Sequence, residues 1–403
     1  MAQMSFLKDE LEQNGIASFI PEIIEHEAVL AELEYALRPV VHEGKIQPYG
    51  FIVCSCTDSL IYRKFAHQTG FELNIARRIA DGCHSFLIFT EGEFKGVFPL
   101  AESADDEYSL VQLQQSSKAV ICITDNTGTT KIFCDEGVFI HQYRQWQHKP
   151  SIKQALSNIR RCVSPIDCEI LDSILGFCFY ELSPNKIGAT LVWCLKSLPA
   201  KEMERFLPST MPQARYAPAR NLQKRITLDM RDDVNRAILR HMLTYADGAV
   251  FLDAEGLVIG GGAHLKYSED SRRLINAYRG TRHTSAKRFS YDFPETLLFV
   301  VSSDGLVTVF SDGMNLVNLK TYAVDSVITD FSLPIESREN ATSFYVKEKL
   351  IECSNCKKAF KIQTMSWAES EEHKISCPVC NHFLYSTKCY VMSVYIVKNL
   401  LPQ

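Results

Sequence analysis

The chain has 403 residues, a formal net charge of −5 and 23% charged residues. That length predicts about two or three domains around at least one large core, and the charge carries no global signature of a nucleic-acid binder. The opening stretch MAQMSFLKDELEQNG lacks the apolar centre of a secretion signal, and no apolar run approaches the ~20 residues of a membrane span, so the expectation is a soluble, cytoplasmic protein without a membrane partner.

Residues 5–38 carry apolar residues at helical spacing with Pro21 between them, predicting two helices. From 44 to about 142 shorter runs (YGFIVCSC, HSFLIFT, AVICITD, TKIFCD) alternate with Gly, Asp and Asn turns and predict strands. Residues 1–150 therefore form an expected N-terminal α/β domain, regulatory or sensory in character. Its His84, His141 and His148 have no recognisable ligand spacing and are expected to be structural or merely exposed. QHKPSIKQALSNIRRCVSPIDCEIL is expected to be a helical connector. CEILDSILGFCFYEL then predicts a helix, SPNKIG a turn and ATLVWCL a strand. Residues 199–224, with four prolines, suggest a loop or covering arm. RDDVNRAILRHMLTYA predicts an amphipathic helix with Val234, Ile238, Leu239, Met242 and Leu243 on one face. SEDSRRLINAY suggests helix or loop, GTRHTSAKRFSYDF a loop into a helix, and ETLLFVVSSDG and LVTVFSDG strands. With hairpin signals at Glu255-Gly256 and Asp304-Gly305, the fold class is α/β with a mixed sheet.

Two segments carry chemistry. Asp247-Gly248-Ala249 stands where a helix hands over to a strand. Such an Asp-Gly is ordinarily a turn, but the glycine also lets a flat ligand approach the main chain, and the carboxylate suits a divalent cation or a hydroxyl. Gly280-Thr281-Arg282-His283-Thr284-Ser285 sets hydrogen-bonding side chains and a guanidinium at a helix start, where backbone N–H groups favour anions. By itself this segment reads equally as a helix cap with a solvated basic turn.

Taken together, DGAVFLDAEGLVIGGGAHL, GTRHTSAKR and LLFVVSSDGLVTVF resemble the diadenylate cyclase domain of the DNA-integrity scanning protein, with its DGA and G-[TA]-R-H-R motifs. YELSPNKIGATLVW is similar to that family's entry segment, and residues 166–330 form the expected domain. The resemblance implies condensation of two ATP into cyclic di-AMP with release of pyrophosphate. It implies Asp247 as ligand of Mg²⁺ or Mn²⁺ and of the attacking 3′-hydroxyl. Gly248 and Ala249 would lie against the nucleoside, Thr281, Arg282, His283 and Ser285 would hold phosphate, and Thr284 is counted with them among the nucleotide-binding residues. Asp247, Arg282 and His283 are thus the expected catalytic residues. Because each ATP attacks the other, two half-sites must face one another in a homo-oligomer. Thr284 stands where the family has an arginine, and Ser303 or Asp304 where it has an acidic residue. The alternative is therefore a domain that senses a nucleotide or cyclic dinucleotide without turnover, since Arg and Thr are not equivalent at a phosphate.

Of the fourteen cysteines, those from Cys54 to Cys194 lie scattered in apolar runs and are expected to be small buried hydrophobes. Cys353-x-x-Cys356 and Cys377-x-x-Cys380 have the spacing of a four-cysteine zinc ribbon, expected over 348–398. Its closed thiolate shell makes the Zn²⁺ structural, with His373 and His382 unnecessary as ligands and Cys389 a packed spare. Lys357, Lys358, Lys361 and Lys374 are expected to form a solvated face rather than a nucleic-acid contact. YVMSVYIV is expected to return as a strand.

Overall fold

The computed structural model describes residues 2–54, 71–196, 228–245, 247–324, 346–377 and 379–396. They fall into two compact units. One is built on the chain up to Ser151 with a short return at 322–323, the other on Ile152–Lys320 and the C-terminal segment. The proline-bearing arm at 199–224 lies outside the described residues.

In the first unit, α1 (Ala2–Gln13) and α2 (Glu27–Leu37) precede β1 (Tyr49–Cys54). Pro21 opens a short helical turn, Pro21–Ile24, where its fixed φ and missing N–H do no harm. Then follow β2 (Ser85–Thr90), β3 (Glu93–Pro99), α3 (Glu107–Ser117), β4 (Val120–Thr124), β5 (Thr130–Cys134), β6 (Gly137–Gln142) and β7 (Gln145–Pro150). The sheet order is β3-β2-β1-β4-β5-β6-β7, with the return strand Tyr322–Ala323 antiparallel on β7. Only β1 and β2 are parallel. Alternate residues Tyr49, Phe51 and Val53 share one face with Leu87 and Phe89 and bury it under Leu11, Leu30 and Leu33 of α1 and α2. Asp106 caps α3, its side chain accepting the Ser109 N–H at 2.8 Å, an arrangement worth ~1 kcal/mol.

The expected helical connector from Gln147 is corrected here: Gln145–Pro150 is a strand, paired with β6 across Tyr143-Arg144. Both turn residues have positive φ, 51° and 63°. This is the geometry of a two-residue hairpin turn made without the Asn or Gly that usually announces it.

In the second unit, α4 (Lys153–Cys162) and α5 (Cys168–Gly176), which runs on into a π-helical stretch Phe177–Leu182, lead to β8 (Ala189–Cys194). They are followed by α6 (Asp233–Tyr245), β9 (Ala249–Leu252), β10 (Val258–Ala263), α7 (Thr281–Asp292), β11 (Thr296–Val301), β12 (Val307–Ser311) and β13 (Met314–Leu319). The order is β10-β9-β8-β11-β12-β13, and only β8 and β9 are parallel. The sheet is mixed, as expected. Ala286 and Phe289 of α7 bury one face against Val192, Phe251, Val300 and Phe310.

The inward face of α6 differs from the expected one. Leu239 and Leu243 are buried, but Val234 and Ile238 are 69% and 46% exposed and Arg236 is buried instead. The cause is Glu181, carried into the interior by the π-helical stretch. Arg236 donates to it at 2.9 Å and Arg240 at 3.3 Å, because a buried carboxylate must be paired. The helix turns to bring its guanidinium groups to that charge.

Strand for strand, β1–β6 and β8–β13 have the same order and sense. In each unit a helix precedes the central strand, the first neighbour is parallel, a hairpin follows, and α3 or α7 links that hairpin to the antiparallel half. The C-terminal segment is a separate antiparallel meander of β14 (Val346–Glu352), β15 (Ala359–Ser376) and β16 (Phe383–Ile396), with β16 running alongside β13.

Candidate functional site

Parallel pairing of β8 and β9 in the register Thr190↔Ala249 brings Gly188, ahead of β8, and Asp247-Gly248, ahead of β9, out at the same end of the sheet. Neighbouring strands there are ~5 Å apart. Antiparallel β11 finishes at this end, Val301 facing Ala189, so its turn Ser302–Asp304 lies there too. The outgoing end of β10, Ala263 opposite Ala249, completes the group. Arg282 joins from the head of α7: a Cβ on Gly188 would sit 2.5 Å from its Nη1, so the guanidinium rests on the glycine backbone. Asp247 and Arg282 are exposed. The topology thus brings an acidic and a cationic side chain to one sheet end.

Gly248 answers a demand of the chain itself. Its φ is +98°, and an added Cβ would stand 2.5 Å from the carbonyl carbon of Gly262, with φ +72°. The two glycines let β9 and β10 approach where the ladder is irregular. On its Cβ side the immediate neighbour of Gly248 is therefore this hairpin.

At the head of α7, the cap residue Gly280 offers no side chain. The first-turn N–H groups of Thr281, Arg282 and His283 are left to solvent or to an anion. Thr284 is engaged elsewhere. Its hydroxyl accepts the Tyr278 N–H at 3.1 Å and donates to the Tyr278 carbonyl at 3.2 Å. Ser285 donates to the Arg282 carbonyl at 3.0 Å. Tyr278, absent from the sequence reading, anchors the loop: its hydroxyl receives Asn315 Nδ2 at 3.0 Å and donates to Asn318 Oδ1 at 3.3 Å, and its ring meets Phe310 edge-on.

His283 is buried, its ring beside those of Tyr278 and Phe310 at 6.1 and 6.2 Å between centroids, and its Nε2 has no hydrogen-bond partner. Burial, reinforced by the positive Arg279 and Arg282, pushes its pKa down to about 4, so the imidazole is neutral at pH 7. Asp304 is held below the usual carboxylate range by a hydrogen bond from Ser302, with further help from the Leu306 N–H and Arg279 against a partial loss of solvent. Its carboxylate therefore stays charged at this sheet end.

The four cysteines of the C-terminal meander converge. Their sulfurs lie within 4.8 Å of one another, with Cys353 to Cys380 and Cys356 to Cys377 both 3.5 Å. A tetrahedral ion with metal–sulfur bonds of ~2.3 Å spaces its sulfurs by just under ~4 Å, so the cluster fits one. Each knuckle is closed in the same way. Lys357 N–H bonds the Cys353 carbonyl and Asn381 N–H the Cys377 carbonyl, both donors lying in left-handed backbone. His382 faces Ser354 at 2.7 Å, outside the sulfur set. The side chains of His373 and Cys389 lie outside the described residues.

The six-stranded mixed sheet of the second unit has an acidic turn and a basic helix head at one end. Residues 177–315 match the family model described as DisA bacterial checkpoint controller nucleotide-binding, DAC. Residues 6–150 match the model described as "Probable sensor domain DACNK". The chain thus carries a DAC nucleotide-binding domain behind a DACNK domain. No curated protein matches it. A solved structure titled as the hypothetical membrane spanning protein from Bacillus cereus is 19% identical over 42% of this chain and 70% of that one, with a TM-score of 0.27. Among the described residues no helix is long and apolar enough to cross a membrane.

Proposed function

We propose that the DAC domain is a diadenylate cyclase that joins two ATP molecules into cyclic di-AMP. The observation that carries this reading is the meeting of Asp247 and Arg282 at one sheet end, set by the β8–β9 register and the Arg282–Gly188 contact. In each half-reaction a ribose 3′-oxygen bonds to the α-phosphorus of the other ATP. The bond from that phosphorus to the bridging oxygen breaks, pyrophosphate leaves with its electron pair, and the hydroxyl proton passes to solvent. Two chains with facing sites supply the two halves.

Asp247 orients the 3′-hydroxyl, and Arg282 with the first N–H groups of α7 takes up charge on the phosphoryl oxygens. His283 holds the loop from below as a neutral ring. The Asp247 carboxylate is an oxygen donor suited to Mg²⁺ or Mn²⁺, which draws its other ligands from phosphate and water. Such an ion, when bound, lowers the hydroxyl pKa and neutralises phosphate charge. The cysteine cluster holds Zn²⁺ as a structural ion.

The test is to incubate the full chain with ATP and Mn²⁺ and follow cyclic di-AMP. Asp247→Asn is expected to abolish product while retaining the fold. Gly188→Ala, whose Cβ would displace the Arg282 guanidinium, is expected to lower turnover at least ~10-fold, a loss of about 1.4 kcal/mol in transition-state binding. A folded dimer that makes no product with either metal overturns the proposal.

A second reading is favoured by Thr284, whose hydroxyl is engaged with Tyr278 rather than presented to a ligand. On this reading the domain binds a nucleotide or cyclic dinucleotide without turnover. Calorimetric binding of cyclic di-AMP together with absent synthesis selects it.

A further inference from the structure

The first unit has a sheet end equivalent to the nucleotide site. Because its strands repeat the order and sense of the second unit, the counterpart of Asp247-Gly248 ahead of β9 is Asp81-Gly82 ahead of β2. Both glycines have positive φ and no room for a Cβ: Gly82, with φ +74°, is closed by the Tyr49 carbonyl oxygen of β1 at 2.7 Å, whereas Gly248 is closed by Gly262 of β10. The charge is reversed, however. Counted from the caps Gly280 and Asp106, the run Arg279 to Arg282 at the head of α7 corresponds to Asp105, Asp106, Glu107 and Tyr108 at the head of α3. Glu107 is buried and paired with Lys131 and Lys149 and Asp106 caps the helix, so the exposed Asp105 is the carboxylate of this run that attracts a cation.

Metal-ligating side chains gather at this end. Ligand atoms of Cys83, His84 and Asp105 lie within 4.8 Å of one another, and Cys83 Sγ is 2.8 Å from Asp105 Oδ1. Asp81 Oδ1 accepts the N–H groups of Cys83, His84 and Ser85 at 2.9, 2.7 and 3.1 Å, while its Oδ2 is 2.8 Å from His84 Nδ1. A carboxylate on one ring nitrogen fixes the imidazole and leaves the other for a metal, an arrangement common behind metal-bound histidines. His84 and Asp105 are exposed and Cys83 is half-buried, so an ion has access from solvent.

We propose that Cys83, His84 and Asp105 bind a divalent cation of the Zn²⁺ class, with Asp81 positioning His84. On binding, the Cys83 thiol proton passes to solvent, Sγ coordinates as thiolate, and water takes the fourth place. Sulfur and imidazole donors select a borderline ion over Mg²⁺ or Ca²⁺, which require oxygen. Three protein ligands leave this ion exchangeable, unlike one enclosed by four cysteines. The first unit thereby responds to metal supply through the same sheet end that its sister unit presents to a nucleotide.

The test uses the full chain in equilibrium dialysis against Zn²⁺, with metal counted by mass spectrometry, and does not read cyclisation. Cys83→Ser and Asp105→Asn are each expected to bind one equivalent fewer than wild type. When a chain carrying a single equivalent of Zn²⁺, held by the four cysteines, is titrated with Co²⁺, wild type is expected to show a thiolate-to-cobalt band that Cys83→Ser lacks. Asp81→Asn keeps an oxygen for the three N–H groups and is expected to weaken Co²⁺ binding about 10–100-fold. Equal metal content in wild type and in folded Asp105→Asn, whose exposed side chain makes misfolding a poor explanation, overturns the proposal. So does a cobalt band unchanged in Cys83→Ser.

Discussion

Thr284 shows how one substitution changes what a loop is made of. An arginine at this helix position would extend beyond the backbone toward a ligand. The threonine hydroxyl instead closes a short circuit with both polar groups of Tyr278, and the loop gains its shape from hydrogen bonds each worth about 1 kcal/mol net. His283, one turn-face away, contributes by staying neutral. Its pKa of about 4 in the fold lies below the 6.5 of an unfolded histidine, so the unfolded chain takes up the proton first. Stability is complete above pH 6.5 and is lost as the pH falls toward 4. His148, pushed down to about 3 by burial, acts in the same direction in the first unit. Thermal melts across this range are expected to show a shallower pH slope in His283→Phe than in wild type. An identical slope would mean that the ring takes up its proton as readily in the fold as in the unfolded chain. The sequence named Asp247, Arg282, His283 and Thr284 because the family pattern marks them. It did not name Gly188 or Tyr278, whose importance comes from what crosses them in space. Cys83, His84 and Asp105 escaped for a similar reason, since a hairpin separates the pair from the aspartate and no short spacing links them.

At the scale of the element, the four-cysteine spacing was legible because each ligand pair lies within a single tight turn. The strand Gln145–Pro150 was missed because Tyr143 and Arg144 make a turn that normally carries Asn or Gly. The spacing in α6 predicts the helix and the burial of Leu239 and Leu243, but not the exposure of Val234 and Ile238. The helix's hydrophobic periodicity competes with Glu181, whose side chain is only 3% exposed, and the desolvated carboxylate prevails over burial of Val234 and Ile238. Replacing one partner exposes the balance of forces. Arg236→Met takes from the buried Glu181 its 2.9 Å partner, and is expected to cost about 3–5 kcal/mol, measured as a lower urea midpoint with unchanged slope. A loss below ~1 kcal/mol would show that water already reaches the pair.

The whole molecule combines two topological copies, one with a basic helix head and one with an acidic one, and a small meander that carries the four-cysteine cluster. Among the described residues, Phe360 with partly buried Val379 and Leu384 packs around the cysteines of the meander, and an ion bound by the four thiolates would add folding energy there. Chelation of the full chain is expected to raise hydrogen exchange over 346–396 at least ~10-fold while β8 and β11–β13 keep their protection. Uniform deprotection of the second unit would instead make the ion a keystone of the nucleotide domain.

The return strand Tyr322–Ala323 has a consequence for how the chain is made. It closes the β7 edge of the first sheet, yet it follows the entire second sheet in sequence. At a synthesis rate of ~5–20 residues per second, the ribosome needs on the order of ten seconds or more to travel from one to the other. During that interval the first unit waits with an open strand edge, the feature that invites pairing with foreign chains. Completion of the leading domain is thus timed by synthesis of the trailing one, and nascent chains stalled within the second sheet are the ones that need a chaperone.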